Sequence, residues 1–300
     1  MKKSAFISII GIPNVGKSSL LNRLLGTKVA IISPKPQTTR TKITGILTEG
    51  EVQTVFIDTP GFHLPKNKLG QQMMRAVGGS LGGIDGAIFV ADAAAKQIKA
   101  EELQLIEKLK AQKIKTILVL NKIDTLPSKE VLLERMAQFS ALYDFEAILP
   151  MSALKGETIE DLKAEIQKLA QEGPFFFPED ALTDQPERVL ASEMVREKML
   201  KLLSQEVPHG AAVSIESMRM RQSGDIMDVE AVIYCERESL QGIIIGKKGA
   251  MLKRISTQAR TDMERFFGCK VNLSTWVKVK EDWRNREGLI HHFGLDYQED

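Results

Sequence analysis

Cysteine, aromatic residues and long apolar runs are all scarce in this chain of 300 residues. The two cysteines, Cys235 and Cys269, stand in no C-x-x-C pair and near no histidine cluster, which fits a reducing cytosol. Both are expected to be buried small hydrophobic residues. Since no apolar run reaches the length of a membrane span, we expect a cytoplasmic protein without a transmembrane helix.

An excess of charge of one sign is absent as well, because the formal net charge is only +2. The net charge therefore does not indicate a binding partner, and a prediction of nucleic-acid binding depends on local clusters of basic residues. The opening residues have a basic flank, but their apolar run leads at once into a glycine loop. That pattern indicates a first strand rather than a signal peptide.

The length exceeds one typical domain and fits two. In the first half, short apolar segments alternate with helical stretches, a rhythm typical of a doubly wound α/β sheet. A TEGE turn between residues 41–47 and residues 52–58 predicts a hairpin with one antiparallel strand at the sheet edge. The remaining strands are expected to be parallel, and they are predicted at residues 5–10, 86–91, 116–120 and 147–150.

A stretch with three prolines and three consecutive phenylalanines follows the last helical periodicity of the first half. We place a linker there, at residues 173–186, between a first domain at 1–172 and a second at 187–300. The phenylalanines, Phe175 to Phe177, are expected to pack at the seam between the domains, and a partner-binding knob is the alternative.

The second half predicts an α+β unit in the order helix, strand, strand, helix, helix, strand. The first helix is predicted from Glu187 to Gln205 by apolar residues at helical spacing, and a tail follows Lys280. Trp276 is expected in the core, with a stacking platform as the alternative, whereas Trp283 fits either role equally.

The segment GIPNVGKS, residues 11–18, matches the phosphate-loop pattern G-x-x-x-x-G-K-[ST] between a predicted strand and a predicted helix. Gly11 and Gly16 let the backbone fold around phosphates so that N–H groups face the anion. Lys17 is expected to reach the β- and γ-phosphates, and Ser18 is expected to bind Mg²⁺.

DTPG at residues 58–61 ends a strand and supplies the second expected element. Asp58 is expected to hold Mg²⁺, and the backbone N–H of Gly61 is expected to contact the γ-phosphate. The threonines of the intervening segment SPKPQTTR can complete the metal shell, and we favour Thr39 over Thr38.

The segment NKID at residues 121–124 predicts which nucleotide base is bound. The carboxylate of Asp124 can accept hydrogen bonds from N1–H and N2–H₂ of guanine, and adenine offers neither donor. Asn121 is expected to tie this loop to the phosphate loop, and the Lys122 stem to lie over the base. SAL, at residues 152–154, is expected to offer backbone N–H groups to guanine O6.

The sequence offers no side-chain general base for hydrolysis. Phe62 follows DTPG and cannot orient water as the glutamine of Ras-type switches does. We therefore assign catalysis to Lys17, Thr39 and Gly61. Asn14 suggests K⁺ assistance, because an asparagine at this point of the phosphate loop ligates K⁺ in some GTPases that resemble this one.

The predicted nucleotide site draws its residues from four segments. The expected GTP-binding residues are Gly11, Ile12, Pro13, Asn14, Val15, Gly16, Lys17, Ser18, Ser19, Asp58, Thr59, Pro60, Gly61, Asn121, Lys122, Asp124, Ser152 and Ala153. The expected Mg²⁺ ligands are Ser18, Thr39 and Asp58, with Asn14 at the hypothetical K⁺.

The segment IIIGKKGAMLKRI places a basic G-x-x-G turn between two helical stretches. This pattern is typical of a KH module, whose turn clamps a single-stranded RNA backbone. An ordinary helical hairpin with a solvated basic face is the alternative, but the long helix after the turn and the strand VNLSTWVKVK fit the type II KH order. The expected RNA-binding residues are Gly246, Lys247, Lys248, Gly249 and Lys253.

Taken together, the motifs GIPNVGKSSLLN, QTTRT, DTPG, NKID, SALKGE, FPED, the G-x-x-G segment and WVKVK resemble the Era family of bacterial GTPases over essentially the full length. The resemblance implies an α/β P-loop GTPase domain with a mixed, mostly parallel sheet, followed by a smaller α+β type II KH domain. It implies GTP and GDP as ligands, 16S ribosomal RNA near its 3′ end and the small ribosomal subunit as partners, a role in assembling that subunit, and a monomer with peripheral contact at the inner membrane. The chain departs from the family in a glycine-rich segment at residues 78–83.

The alternative is a signalling or membrane-associated GTPase whose second domain binds protein. RNA affinity of the second domain separates the two hypotheses. A metabolic kinase is a third class, but NKID argues for guanine and no phosphate-acceptor site is evident.

Overall fold

The computed structural model describes residues 1–35, 37–156, 158–204 and 207–296. Glu157 of the SALKGE motif and the tail residues 297–300 lie outside the described residues. The chain forms a first unit with a mostly parallel sheet between helices, and a smaller second unit with its own sheet. This order confirms the predicted α/β unit followed by an α+β unit.

Short apolar segments form the strands of both sheets. The described strands of the first unit are β1 Lys3–Ile10, β2 Ile43–Glu49, β3 Val52–Asp58, β4 Gly86–Asp92, β5 Thr116–Asn121, β6 Ala147–Met151 and β7 Gln171–Glu172. Those of the second unit are β8 Ala211–Met220, β9 Ile226–Cys235 and β10 Lys270–Val279.

The helices begin and end at residues that favour turns. Gly16 and Gly26, both with left-handed backbone, bound the first helix, and the Asn67 side chain accepts a hydrogen bond from the Gly70 amide at 2.8 Å at the start of the second. The described helices are α1 Lys17–Leu25, α2 Lys68–Gly79, α3 Ala100–Gln112, α4 Lys129–Ser140, α5 Ile159–Gln167, α6 Glu187–Leu202, α7 Glu238–Ile245, α8 Ala250–Phe267 and α9 Glu287–His292.

The first sheet has the strand order β2-β3-β1-β4-β5-β6, and all of these strands except β2 run parallel. β2 pairs antiparallel with β3 at the edge, so the predicted hairpin is confirmed. Because parallel strands end at the same edge of a sheet, the loops after β1, β3, β4, β5 and β6 meet there.

Alternating strand residues build an apolar layer on each face of this sheet. In β4, the buried Ile88 and Val90 belong to the layer that includes residues of α1 and α5. Phe89, also buried, belongs to the opposite layer with residues of α3 and α4. This packing holds α1 directly behind the loop that follows β1.

The short strand β7 departs from the expectation that strands outside the hairpin are parallel. It pairs antiparallel with the start of β1, where Lys3 lies opposite Glu172 and Ser4 opposite Gln171. β4 pairs with β1 only from Ile7 onward, so β7 occupies the part of β1 that precedes this contact. A two-residue pairing has no periodicity to read, so the sequence does not predict it.

The second unit follows the predicted order of elements. α6 ends at Leu202, and its predicted end at Gln205 lies outside the described residues. The sheet has the order β10-β9-β8, and one face packs on α6, α7 and α8 through a core that includes the fully buried Cys235. Cys269 is only half-buried. Within the part of the chain that the structure describes, none of the helices combines the length and apolarity that crossing a bilayer requires.

The two tryptophans lie in opposite environments. Trp283 is fully buried, and its Nε1 donates to the carbonyl oxygen of Gly210 at 3.0 Å. The predicted tail folds back there, since the Trp283 ring packs against Phe293 just after α9. Trp276 is 47% exposed, so the prediction of a core position for it is wrong. Its neighbour Val277 faces the helices, and successive strand residues point to opposite faces.

The phenylalanines of the linker segment lie against the first unit. The Phe176 ring packs edge-on against Phe6 of β1 with 4.9 Å between ring centroids. The amides of Phe176 and Phe177 donate to Oε1 of the fully buried Gln53 at 2.8 and 3.0 Å. The expected packing at the seam between the domains is therefore wrong for these two residues, because the Gln53 side chain fixes the segment to the first sheet.

A cluster of charged side chains joins the two units. The fully buried Glu197 of α6 accepts hydrogen bonds from Lys28 Nζ at 2.6 Å and from the Ile32 amide at 3.1 Å, both in the first unit. Burial alone would raise the Glu197 pKa, but the hydrogen bonds from Lys28, Ile32 and Lys198 outweigh it and lower the pKa to about 2. The contribution of this ionised carboxylate to stability is therefore present above the ordinary value of 4.5, and it is lost as the pH falls through about 2.

Candidate functional site

The loop after β1, residues 11–18, leaves no room for side chains at its two glycines. A Cβ on Gly11 would lie 2.3 Å from the Val90 carbonyl oxygen, and one on Gly16 would lie 2.2 Å from Asn121 Nδ2. Both glycines also have positive φ, so only glycine fits these positions. The loop leads into the N-terminus of α1, where free backbone N–H groups can bind an anion.

Lys17 lies buried under this loop, with 6% of its surface exposed. Its Nζ donates to the carbonyl oxygens of Gly11 at 3.1 Å and Ile12 at 3.0 Å. Burial lowers the Lys17 pKa to about 8, although the charge of Asp58 opposes this shift. A phosphate would give the ammonium group a charged acceptor in place of two neutral carbonyls. Contact of Lys17 with the β- and γ-phosphates stays a prediction.

Three side-chain oxygens meet beside Lys17. Ser18 Oγ donates to Asp58 Oδ2 at 2.7 Å and lies 2.9 Å from Thr39 Oγ1, whereas Thr38 turns its hydroxyl to carbonyls of its own loop. Asp58 is fully buried, and its Oδ1 has no hydrogen-bond partner. Burial raises the Asp58 pKa to about 6, with Lys17 opposing. A divalent cation that prefers oxygen ligands, such as Mg²⁺, fits this donor set and would satisfy the orphaned oxygen.

An open pocket with about 410 Å³ of empty volume lies in front of the phosphate loop. The DTPG segment closes one side, since a Cβ on Gly61 would lie 2.6 Å from Pro13 Cα. Phe62, the next residue, is buried in the apolar layer with Val77 and so presents no polar atom to the pocket. The lining residues are Pro13, Asn14, Gly16, Lys17, Ser18, Ser19, Ile31, Ile32, Ser33, Gln37, Thr38, Thr39 and Gly61.

Asn121 connects the phosphate loop to the two loops expected at the base. Its Nδ2 donates to the Val15 carbonyl oxygen at 2.7 Å, and its Oδ1 accepts from the Ala153 amide at 2.9 Å. Ser152 Oγ donates to Asp124 Oδ1 at 2.6 Å and so orients that carboxylate. The structure therefore brings the NKID and SAL segments together beside the phosphate loop.

Two residues that the sequence analysis missed position the base end of this site. Asp92 at the end of β4 pairs with Lys122 Nζ at 2.7 Å, and Arg23 of α1 donates from Nε to the Ala153 carbonyl oxygen at 3.1 Å. Asp92 does follow a buried strand and could have been suspected from that position. Arg23 lies within a helix, where no feature of the sequence indicates this role.

The loop that carries Thr39 is held by the second unit. Arg40, only 2% exposed, donates from Nη1 to the Ala211 carbonyl oxygen at 2.7 Å. Arg196 of α6, also buried, donates in return to the carbonyl oxygen of Thr38. Thr39 lies between these two contacts, so the position of this expected metal ligand depends on the second unit.

The G-x-x-G turn lies between α7 and α8 in the second unit. Gly246, Lys248 and Gly249 all have positive φ, and a Cβ on Gly246 would lie 2.7 Å from Met251 Cβ. Lys247, Lys248 and Lys253 are exposed. The turn therefore presents its lysines to solvent at the start of a long helix, as binding of a phosphate backbone requires.

Comparison with known proteins places the chain in a family. Residues 6–122 match the family described as 50S ribosome-binding GTPase, and residues 206–284 match the KH domain. GTPase Era of Clostridioides difficile strain 630 is 49% identical over 296 residues, which cover 99% of each chain. The chain belongs to the Era family of GTPases.

Other members of the Era family agree with this assignment. GTPase Era of Clostridium kluyveri is 47% identical over 98% of this chain and 99% of its own. The crystal structure of an Era in complex with MgGDPNP and nucleotides 1506–1542 of 16S ribosomal RNA superposes with a TM-score of 0.95, 39% identity and coverage of 99% of this chain and 100% of that one. A variant of Aquifex aeolicus Era bound to GDP and AlF4⁻ gives a TM-score of 0.94 at 39% identity, covering 98% of this chain and 100% of its own.

Membership in the Era family confirms the predicted resemblance and the fold class, a P-loop GTPase domain followed by a KH domain. The glycine-rich segment at residues 78–83 includes the end of α2 at Gly79. A Cβ on Gly78 would meet nothing within 4 Å, so packing does not explain glycine there, whereas the φ of 67° at Gly83 favours glycine.

Proposed function

We propose that this Era-family GTPase hydrolyses GTP to GDP and phosphate with Mg²⁺, binds 16S ribosomal RNA near its 3′ end, and takes part in assembling the small ribosomal subunit. The observation that carries the nucleotide half is the Asn121 side chain, which joins the phosphate loop at Val15 to the guanine loop at Ala153. One nucleotide can therefore span both loops. The complex of an Era with MgGDPNP and 16S RNA supports both halves by relationship.

In this proposal, the protein accelerates hydrolysis by holding the phosphates in place and by placing positive charge and N–H donors beside them. Lys17 would move from the Gly11 and Ile12 carbonyls to the β- and γ-phosphates, and the Gly61 amide would hold the γ-phosphate. Ser18, Thr39 and Asp58 would hold Mg²⁺, which when bound neutralises charge on the phosphate oxygens. No general base is assigned, because the buried Phe62 stands where another GTPase family has a glutamine.

K⁺ assistance at Asn14 is a further part of the proposal. Asn14 lines the nucleotide pocket, is exposed and has a φ of 65°. A monovalent cation held there would place positive charge near the phosphates where negative charge develops. We expect GTP turnover to be about tenfold faster or more in KCl than in NaCl of equal ionic strength, and Asn14→Ala to remove the difference. Equal turnover of the unaltered chain in the two salts would eliminate K⁺ from the account.

The RNA half of the proposal is carried by the exposed lysines of the G-x-x-G turn. Replacing Lys247 and Lys248 together with alanine should weaken RNA binding and reduce the slope of log affinity against log salt by about 0.7 for each lost phosphate contact. Filter binding at several salt concentrations with the RNA of nucleotides 1506–1542 measures both quantities. The matched control is the alanine pair at the exposed Lys113 and Lys115 of the first unit, which should change neither.

The same experiment tests the alternative function, a GTPase whose second domain binds protein. If the unaltered chain showed no RNA affinity at low salt, the proposal of an RNA-binding GTPase would be contradicted, and a protein-binding second domain would be favoured. GTP hydrolysis by the purified chain is assayed in parallel, so that loss of RNA binding is not confused with loss of folding.

The domain boundaries and the cellular location of the protein are also proposed. We propose a GTP-binding domain at 1–172, a linker at 173–186 and a KH domain at 187–300. We further propose a cytoplasmic monomer with peripheral contact at the inner face of the cell membrane. The cysteine usage supports the location, and the resemblance to the Era family supports the membrane contact.

A further inference from the structure

The exposed Trp276 lies on the outer face of the second sheet, opposite the helices. It stands opposite Val232 of β9, which is only 3% exposed, while 47% of its own surface remains open. Single exposed apolar side chains are normal on protein surfaces, so exposure alone does not mark a binding site. The side chains around the ring therefore indicate what it can bind.

The outer face of β10 carries lysines on both sides of this ring and no acidic residue. Strand alternation places on it Lys270, Asn272, Ser274, Trp276 and Lys278, and Lys280 follows directly after the strand. Neighbouring side chains along this row are about 7 Å apart. The acids on the same face belong to the neighbouring strands β8 and β9, and one of them, Asp228, is already paired with Arg221 at 2.7 Å. The row is therefore a basic strip with one aromatic ring in it.

This basic strip lies beside the G-x-x-G turn. β10 is the edge strand of its sheet, and α7, which leads into the turn, contacts it through a hydrogen bond from Gln241 Nε2 to the Val277 carbonyl oxygen at 2.9 Å. A single strand held at the turn can therefore pass over the open edge of β10 and reach the outer face. Continuity with the turn and the positive charge of the strip both favour a polyanion over a protein partner.

We propose that the outer face of β10 is a second contact for single-stranded RNA, in which a base stacks on Trp276 while Lys278 and Lys280 neutralise flanking phosphates. An aromatic ring on a sheet with basic neighbours is a surface on which bases of any sequence stack. This inference rests on the proposed RNA-binding function and extends the RNA path beyond the G-x-x-G turn.

The test compares full-length variants in binding the RNA of nucleotides 1506–1542. Trp276→Ala should weaken affinity about tenfold, and Trp276→Phe should retain most of it because a ring remains. The matched control is Met220→Ala on β8, since Met220 is also 47% exposed but lies outside the basic strip. Basal GTP turnover should be unchanged in all three variants, which shows that they are folded.

Tryptophan fluorescence gives an independent readout. The chain has two tryptophans, and Trp283 is fully buried. Saturating RNA should quench the emission of the unaltered chain, and Trp276→Phe, which leaves Trp283 as the only tryptophan, should abolish that quenching. Stacking predicts this loss, whereas a general change of fold on binding does not.

The outcomes separate this inference from the proposed function. Weaker binding by Trp276→Ala together with loss of quenching in Trp276→Phe supports it. If the unaltered chain binds RNA, the Lys247 and Lys248 variant loses affinity and Trp276→Ala binds normally, the second contact is overturned while the RNA-binding function stands. If no form of the chain binds RNA, both are overturned, and a protein partner becomes the better explanation of the exposed ring.

Discussion

Replacing Asp124 with asparagine should reverse the base preference of the nucleotide site, lowering GTP affinity about 1,000-fold and making XTP the better ligand. The carboxylate can accept from N1–H and N2–H₂ of guanine, whereas an asparagine amide can donate to the oxygen that xanthine carries at position 2. The hydrogen bond from Ser152 Oγ to Asp124 Oδ1 at 2.6 Å already fixes the orientation of this side chain. The substitution therefore changes the hydrogen-bonding pattern with little change of shape.

Competition of unlabelled GTP and XTP against a fluorescent nucleotide measures both affinities for each protein. The control is Asp144→Asn, the same chemical change at an exposed carboxylate of the first unit. It should leave the preference for GTP intact. A variant at Asp124 that still prefers GTP would show that this carboxylate does not read the base.

Replacing Lys17 with methionine should lower kcat/KM for GTP about 100- to 1,000-fold. The methionine retains most of the apolar stem but removes the ammonium group that we expect on the β- and γ-phosphates. Turnover of GTP at saturating Mg²⁺ measures the loss, and Lys115→Met, at an exposed lysine, is the control. Unchanged turnover in the Lys17 variant would contradict the role assigned to the phosphate loop.

The same substitution should not destabilise the nucleotide-free chain. Burial lowers the Lys17 pKa from 10.5 to about 8, so the folded chain disfavours the charged form. Between these two values the unfolded chain binds more protons than the folded one, and stability therefore rises with pH. The cost of the buried charge is complete below about pH 8 and fades as the pH rises toward 10.5. Thermal unfolding near pH 7 should show the methionine variant at least as stable as the unaltered chain, with a smaller difference near pH 10.

The sequence indicates candidate residues for the nucleotide site because the requirements on each segment are local. A phosphate loop needs glycine where side chains would collide, as Gly11 and Gly16 show, and a metal site needs a carboxylate at a strand end, as Asp58 shows. Such requirements demand particular residue types at particular spacings, and these can be recognised in a sequence. Because parallel strands end at one edge of the sheet, the loops that carry these residues then meet there.

Contacts between distant segments leave no comparable pattern. Arg40 and Arg196 look like ordinary basic residues, yet each is 2% exposed and donates to carbonyl oxygens of the other unit. Trp276 is predicted in the core because large aromatic rings usually are buried, and only the pairing of β10 with β9 shows which face it occupies. Residue type alone does not identify the partner of a side chain when that partner is more than a hundred positions away.

Displacement of a fluorescent GTP analogue from the purified chain in Mg²⁺, with GTP and ATP as competitors, addresses the nucleotide site most directly. If one bound nucleotide meets both Lys17 and Asp124, GTP should displace the analogue at concentrations about 10,000-fold lower than ATP. Displacement by ATP at concentrations equal to those of GTP would contradict the assignment of guanine recognition to Asp124.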